Sequence, residues 1–420
     1  MPGTRTRSKG TFHGVNVPFP LREESGPPRS RMRRKSPGLL ILLALWTALL
    51  PVGAGAQWLG DSAGEALTRK GIDHIYNLQF EDAVAEFNQV ISSHPDHPAG
   101  HFFLAAVEWW RIMIDIENTS RDAGFIDLLD RVIELCDRRL DRNERDVAAL
   151  FFKGGALGFQ GRLYGNREDW IKAASNGRSA LPIVQETYAL DPENDDVLFG
   201  IGIYNYYAAV IPDMYPFVKP LMLFFPSGDK TKGLAQLQLA SAGAKYADTE
   251  ASYFLLQILY NFEKDYPPAL EIAEKLHRRY PNNPLFHRYV GRTLAALGRW
   301  DLASGTFGEI QRKVTAGKPG YGPVVERETQ YYLGVVDMQS GELDSALARF
   351  YRCDELSRSI ESGFGPGYMP MANLKIGMIY DLQGKRELAI RQYEKVLGMK
   401  DHQSSHDLAR QYRKAPYNRS

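Results

Sequence analysis

The chain has 420 residues and 47.3 kDa, with 51 Lys+Arg against 50 Asp+Glu and two cysteines. It is long enough to bury a large core unaided, and Cys136 and Cys353 are too few for a disulfide framework or a four-thiolate zinc site. A formal charge of +1 lacks the basic excess of a general nucleic-acid binder, so no nucleic-acid partner is expected.

Residues 1–56 read as a leader rather than as fold. Pro, Gly, Ser and Arg dominate the first 37 positions, followed by the uncharged run Leu39 to Leu50, then Pro51 and the small residues Ala54, Gly55 and Ala56. Basic flank, short apolar core and small residues at the end describe a secretory signal peptide cleaved after Ala56. An uncleaved anchor is the alternative, but a spanning helix needs about 20 apolar residues. Met32 opens a better-proportioned signal and is a candidate true start. No cysteine stands directly after the apolar core, so no lipid acceptor is expected near the mature N-terminus. The compartment expected is the periplasm or cell envelope of a bacterium.

Beyond the leader, five windows align with one another, starting at Gly64, Glu250, Pro284, Arg327 and Pro370. A small residue recurs midway along the first predicted helix: Gly71, Gly291, Gly334 and Gly377, with Gln257 as the exception. Turn glycines follow at Gly298, Gly341 and Gly384. Alanines recur in the second predicted helix at Ala83, Ala269, Ala303, Ala346 and Ala389. Four residues later come Phe87, Ala273, Phe307, Phe350 and Tyr393, and Pro95 and Pro281 close the first two windows.

These slots resemble the tetratricopeptide repeat (TPR) family, whose unit is a helix-turn-helix of about 34 residues. The physical reading is that glycine and alanine face each other where paired helices pack closely. The aromatic, one turn further on, fills the gap toward the next repeat. Glycine in the turn supplies the positive φ that ends a helix. The resemblance implies an all-α, right-handed superhelical solenoid, with a first repeat over 57–97 and four repeats over 250–403. A C-terminal helix or tail over 404–420 completes the chain.

Residues 98–249 carry apolar residues at helical spacing without the full pattern and read as degenerate hairpins. Within them, 200–240 resembles the middle of a eukaryotic TPR-like family linked to the outer mitochondrial membrane and inclusion-body clearance. The stretch 211–229 contains Pro212, Pro216, Pro220 and Pro226, which rule out a long helix or a membrane span. Its aromatics read as cover for a seam between superhelical halves, with docking on a membrane or partner as the alternative.

Candidate chemistry is thin. His94, His97 and His101 lie close together, but they fall where a repeat ends, and no fourth ligand is evident. Asp191, Glu193, Asp195 and Asp196 lack a calcium-loop pattern and suit a helix start. Gly317 to Val324 lacks the Gly-Lys-Ser/Thr end of a phosphate loop. No nucleophile elbow or zinc-protease motif is present. The buried-looking cysteines read as small hydrophobes. No enzyme activity and no cofactor or metal is therefore expected.

In a TPR solenoid the first helices line a concave binding surface. The groove-facing slots here are Phe254, Ile258, Asn261, Arg288, Arg292, Tyr331, Val335, Leu374 and Met378. They lack the Lys and Asn of the TPR subgroup that clamps a peptide carboxylate. Two arginines one turn apart suit a peptide with an acidic feature. The function expected is an exported scaffold that binds a protein or peptide in this groove. A membrane-associated assembly or transport component docking through 211–229 is the alternative, and a metal-dependent hydrolase the least favoured. The leader holds a surplus of seven positive charges, so the remainder from Gln57 carries −6.

Overall fold

The computed structural model describes residues 59–214, 219–222, 225–360 and 367–418. Residues 1–56, read as a leader with a signal peptide, lie outside them. Every regular element among the described residues is a helix. Successive helices pack as antiparallel neighbours. The first half holds α1 (Ser62–Tyr76), α2 (Phe80–Ser93), α3 (Pro98–Ile114), α4 (Asp122–Leu140), α5 (Val147–Asn166) and α6 (Trp170–Leu190). The middle holds α7 (Asp195–Met214), the single turn α8 (Lys219–Met222) and α9 (Lys230–Gly243). The second half holds α10 (Asp248–Ile258), α11 (Tyr266–Arg279), α12 (Pro284–Ala296), α13 (Trp300–Thr315), α14 (Pro323–Ser340) and α15 (Leu343–Ile360). Then come α16 (Tyr368–Leu382), α17 (Arg386–Leu397) and α18 (Ser405–Lys414). This is an all-α solenoid of TPR-type hairpins, each element packing on its sequence neighbours.

The repeat slots work, but not in the way the sequence alone suggested. A Cβ added to Gly71 would meet the Phe87 ring at 2.5 Å, and one at Gly377 would meet Tyr393 at 2.5 Å. Gly291 and Gly334 face Phe307 and Phe350 in the same way, at 2.8 and 3.0 Å. Glycine therefore makes room for the aromatic of its own hairpin, not for the alanine. The aromatic also reaches the next repeat: Phe307 stacks on Tyr332 with centroids 4.5 Å apart.

The turn slot is more general than glycine. Gly298, Gly341 and Gly384 have φ of 72, 86 and 71°, and in the first two windows Leu78 and Lys264 hold the same position at 62 and 56°. Glu168 does so at 58° in the turn between α5 and α6. That identifies a further hairpin: Gly161 fills the small slot, with Asn176 Cβ at 3.4 Å and the Ala173 carbonyl at 3.5 Å from its added Cβ. Its aromatic slot is Gly177, and Phe225, from the Pro-rich stretch, lies 3.9 Å from where that glycine's Cβ would be. The stretch thus reaches into the solenoid at one slot. Residues 215–218 and 223–224 of it lie outside the described residues. Pro212 does not stop a helix; it sits in the last turn of α7. Among the described residues no helix is long and apolar enough to cross a membrane.

The stack also closes on itself. Tyr76, near the end of α1, donates its hydroxyl to Glu250 at 3.1 Å, and its carbonyl accepts from Asn283 at 3.0 Å. Tyr280 and Arg279 reach Asp73 at 2.8 and 3.1 Å. Further along, Arg162 pairs with Glu250 at 2.9 Å and Arg327 with Glu117 at 2.8 Å. The loop after α13 joins in, since Gly320 lies against Leu78. One apolar cluster accordingly runs from Leu59 to Leu333, with the Tyr76 ring edge-on to Trp110 at 4.9 Å. The helices from α16 onward belong to a second cluster. A plain open solenoid would leave the end of α1 to solvent; here side chains of α10 to α12 meet its last turn.

At the corner of α11, α12 and α13, His277 and His287 stack at 4.1 Å. His287 Nδ1 meets the Tyr321 hydroxyl at 3.1 Å, and Lys313 donates to that hydroxyl at 3.2 Å. Burial, and then the Lys313 ammonium, hold His277 down at about 4. Burial, His277 and Lys313 hold His287 at about 3. Both folded values lie below the unfolded histidine value, so their contribution to stability is complete above about pH 6.5. It is lost as pH falls from there through about 4 and 3. Urea midpoints should therefore fall across that window. His277→Phe keeps a stacked ring, removes one titration and should flatten the fall; an unchanged slope would show that His277 does not contribute to it.

Candidate functional site: the inward helix faces

The nine sequence-predicted groove residues do not form one open surface. Phe254 is 7% exposed, edge-on to Phe199 at 5.4 Å, with the Arg162 guanidinium 4.2 Å over its ring. Ile258, Leu374 and Met378 are buried at 0, 1 and 5% exposure. Asn261 is exposed, on a π-helical turn (Leu259–Glu263) that ends α10, and its side chain reaches Tyr289 at 3.5 Å. Tyr331 and Val335 are half-buried, with Tyr331 edge-on to Tyr368 at 5.4 Å.

Arg288 and Arg292, expected to stand exposed in the groove, are instead part of the interior. Both guanidiniums clasp Glu328 of α14, whose side chain has no exposure. Arg292 also reaches the Tyr368 hydroxyl at 3.4 Å. Burial alone would raise the Glu328 carboxyl; the two guanidiniums outweigh it and hold the group at about 2. The sequence could not show this, because Glu328 lies 40 residues from Arg288 and was given no slot. A buried charge needs a partner inside the fold, and that requirement is what withdraws both arginines from a ligand.

The other sequence candidates separate in space. His94 turns to Asp61 at 2.7 Å. His97 accepts the Ala99 N–H at 3.3 Å as the cap of α3 and lies edge-on to Phe152, and burial pushes His101 down. Among the described residues no three His, Cys, Asp or Glu side chains are grouped to hold a metal. Asp196 does more than start a helix: it is 2% exposed and accepts the N–H groups of Lys245, Tyr246 and Ala247 at 3.2, 2.9 and 2.8 Å. It thereby fixes the turn between α9 and α10. Cys136 and Cys353 are fully buried, and burial pushes the Cys136 thiol up to about 12.

What remains open lies at the C-terminal end. Gly377 of α16 faces Tyr393 of α17, so helical phase turns Tyr368, Met371, Lys375 and Leu382 the opposite way, inward. All four are half-buried. Among the described residues the helices packed closely on α16 are α14, α15, α17 and α18, and Arg292 of α12 reaches its first residue, Tyr368.

Fold and slots together define a TPR-type helical-repeat scaffold. Residues 68–110 match the tetratricopeptide repeat family model, and no curated protein matches the sequence. Among solved structures, the chain is similar to TTC0263, a thermophilic TPR protein of Thermus thermophilus, at 15% identity and a TM-score of 0.34, over 56% of this chain and 99% of that one. It is similar to yeast Tom70 at 13% identity and a TM-score of 0.31, over 84% and 95%. It is also similar to a human IFIT1 dimer with PPP-AAAA at 14% identity and a TM-score of 0.42, over 84% and 87%. The expectation of no nucleic-acid partner is corrected here. Human IFIT1 is solved with PPP-AAAA and with m7Gppp-AAAA, and a near-zero charge over the whole chain does not exclude such a ligand. Whole-chain charge is a poor guide because the local arrangement of cations decides binding.

Proposed function

We propose that the chain is an exported scaffold that captures a peptide segment or protein surface on the inward face of α14 and α16, with no bond-making chemistry. The observation that carries this is the half-buried strip Tyr368, Met371, Lys375 and Leu382 on α16, on which α14, α15, α17 and α18 are the helices packed closely among the described residues. Helical-repeat proteins bind through such faces, and half-buried apolar side chains beside polar ones suit a peptide groove. Val335 and Met378, both groove slots, border it, and Tyr331 links α14 to it through Tyr368.

Substituting Val335 and Met371 by glutamate in the full chain should abolish recovery of a crosslinked partner from the native envelope while helicity is unchanged. Undiminished recovery would overturn the assignment of this face. Export rests on the basic flank, the run Leu39 to Leu50 and Ala54-Gly55-Ala56. N-terminal sequencing of the expressed protein should read Gln57 onward in the envelope fraction; an intact leader in the cytoplasm would end the proposal of export.

A further inference from the structure

Several buried or half-buried cations of this fold are paired inside it. Arg162 has Glu250, Arg288 and Arg292 share Glu328, and Arg327 has Glu117. Each is a cation inside the fold with its carboxylate supplied by another hairpin. Lys375 is half-buried on the inward face of α16 and has no hydrogen bond or ion pair to any described residue. Burial holds its ammonium below the usual lysine range, and no neighbouring charge contributes. Placing an ammonium among apolar side chains without a counter-charge is costly. The chain offsets that cost for Arg162, Arg288, Arg292 and Arg327 by an internal glutamate. Along α16 the flanking inward residues are Tyr368, Met371 and Leu382, apolar or aromatic, so the face offers one positive point in an apolar strip.

We propose that this strip receives an acidic peptide segment of a partner protein, with a side-chain carboxylate of that segment on the Lys375 ammonium and apolar residues on either side of it against Met371 and Leu382. The inference rests on the binding function proposed above and specifies the partner's chemistry. It differs from a terminal-carboxylate clamp, because a single lysine in an apolar strip reads an internal acidic residue by its apolar flanks. A ligand carboxylate there would accept a charge-assisted hydrogen bond from the Lys375 ammonium.

The test selects a phage-displayed library of random dodecapeptides on the full chain, on Lys375→Met and on Lys375→Glu. The full chain should return peptides with an aspartate or glutamate flanked by apolar residues, and Lys375→Met should bind them about tenfold or more weakly, the scale of one charge-assisted hydrogen bond. Lys375→Glu should return peptides with lysine or arginine at the same place. Lys375→Met removes an ammonium with no partner among the described residues, so its melting temperature should be at least that of the parent, which separates lost binding from lost folding. Selected peptides without an acidic position, or bound equally by Lys375→Met, would overturn this inference and leave the groove function standing. Failure to select any peptide would overturn both. A fluorescent single-stranded oligonucleotide bound by the full chain and released by Lys375→Met would overturn it in favour of a phosphate ligand.

Discussion

Replacing Glu328 by leucine is expected to cost about 3–5 kcal/mol of folding stability, the usual consequence of removing one member of a buried ion-pair cluster. Glu328 has no side-chain exposure, and two guanidiniums converge on it. Without it, Arg288 and Arg292 are left as like charges facing each other, with side chains only 12 and 20% exposed. The damage should spread, because the cluster joins α12 to α14 and reaches Tyr368 at the start of α16. Changing all three at once, Glu328 to leucine with both arginines to methionine, removes the stranded charges and should recover most of the loss. Urea unfolding followed by helical signal measures both. A loss below about 1 kcal/mol for the single change would mean that the cluster is solvated. In acid the two ionisable clusters separate. Glu328 lies below its unfolded value, so its contribution is present above about pH 4.3 and is lost as pH falls toward about 2. The histidine stack has largely failed by then.

Gly233→Ala is expected to destabilise by about 3 kcal/mol, at the upper end of overpacking costs. A Cβ there would lie 2.5 Å from the Tyr206 nitrogen and 2.9 Å from both the Gly202 carbonyl oxygen and Tyr206 Cα. These are backbone atoms of α7, so no side-chain rotation relieves the clash, and the two helices must move apart. Gly334→Ala is the comparison, since its Cβ would meet only ring atoms of Phe350 at 3.0 Å and beyond. A ring can tilt by a few tenths of an ångström, so the cost there should stay near about 1 kcal/mol. Melting temperatures of the two variants should therefore fall in the order Gly233, then Gly334. The reverse order would show that α7 and α9 are not packed backbone to backbone.

Periodicity made the hairpins from α10 onward legible, because helical repeats reuse the same packing at each step and so repeat the same small and aromatic residues. Glycine in the turn marked three hairpins and missed three others, where Leu78, Glu168 and Lys264 accept the left-handed conformation. Gly177 hid the α5–α6 hairpin for a second reason: a glycine stands in the slot that is mostly aromatic elsewhere, with Phe225, 48 residues away, beside it. The groove was read from slots alone. Slots tell which way a residue points but not what another part of the chain brings to meet it. Glu250, Glu328 and Glu117 became partners of inward arginines only through tertiary closure. Lys375 was overlooked because it lies one position past Leu374, on a face the slot pattern did not use.

Binding on the inward face of α14 and α16 would use the half-buried strip from Tyr368 to Leu382. Hydrogen exchange of the full chain, with and without a peptide selected on it, tests this directly. Exchange should slow in α14 and α16, with α1, α2 and the outer helices α13 and α17 unchanged. Slowed exchange in α1 to α6, or none in α16, would contradict binding at this face.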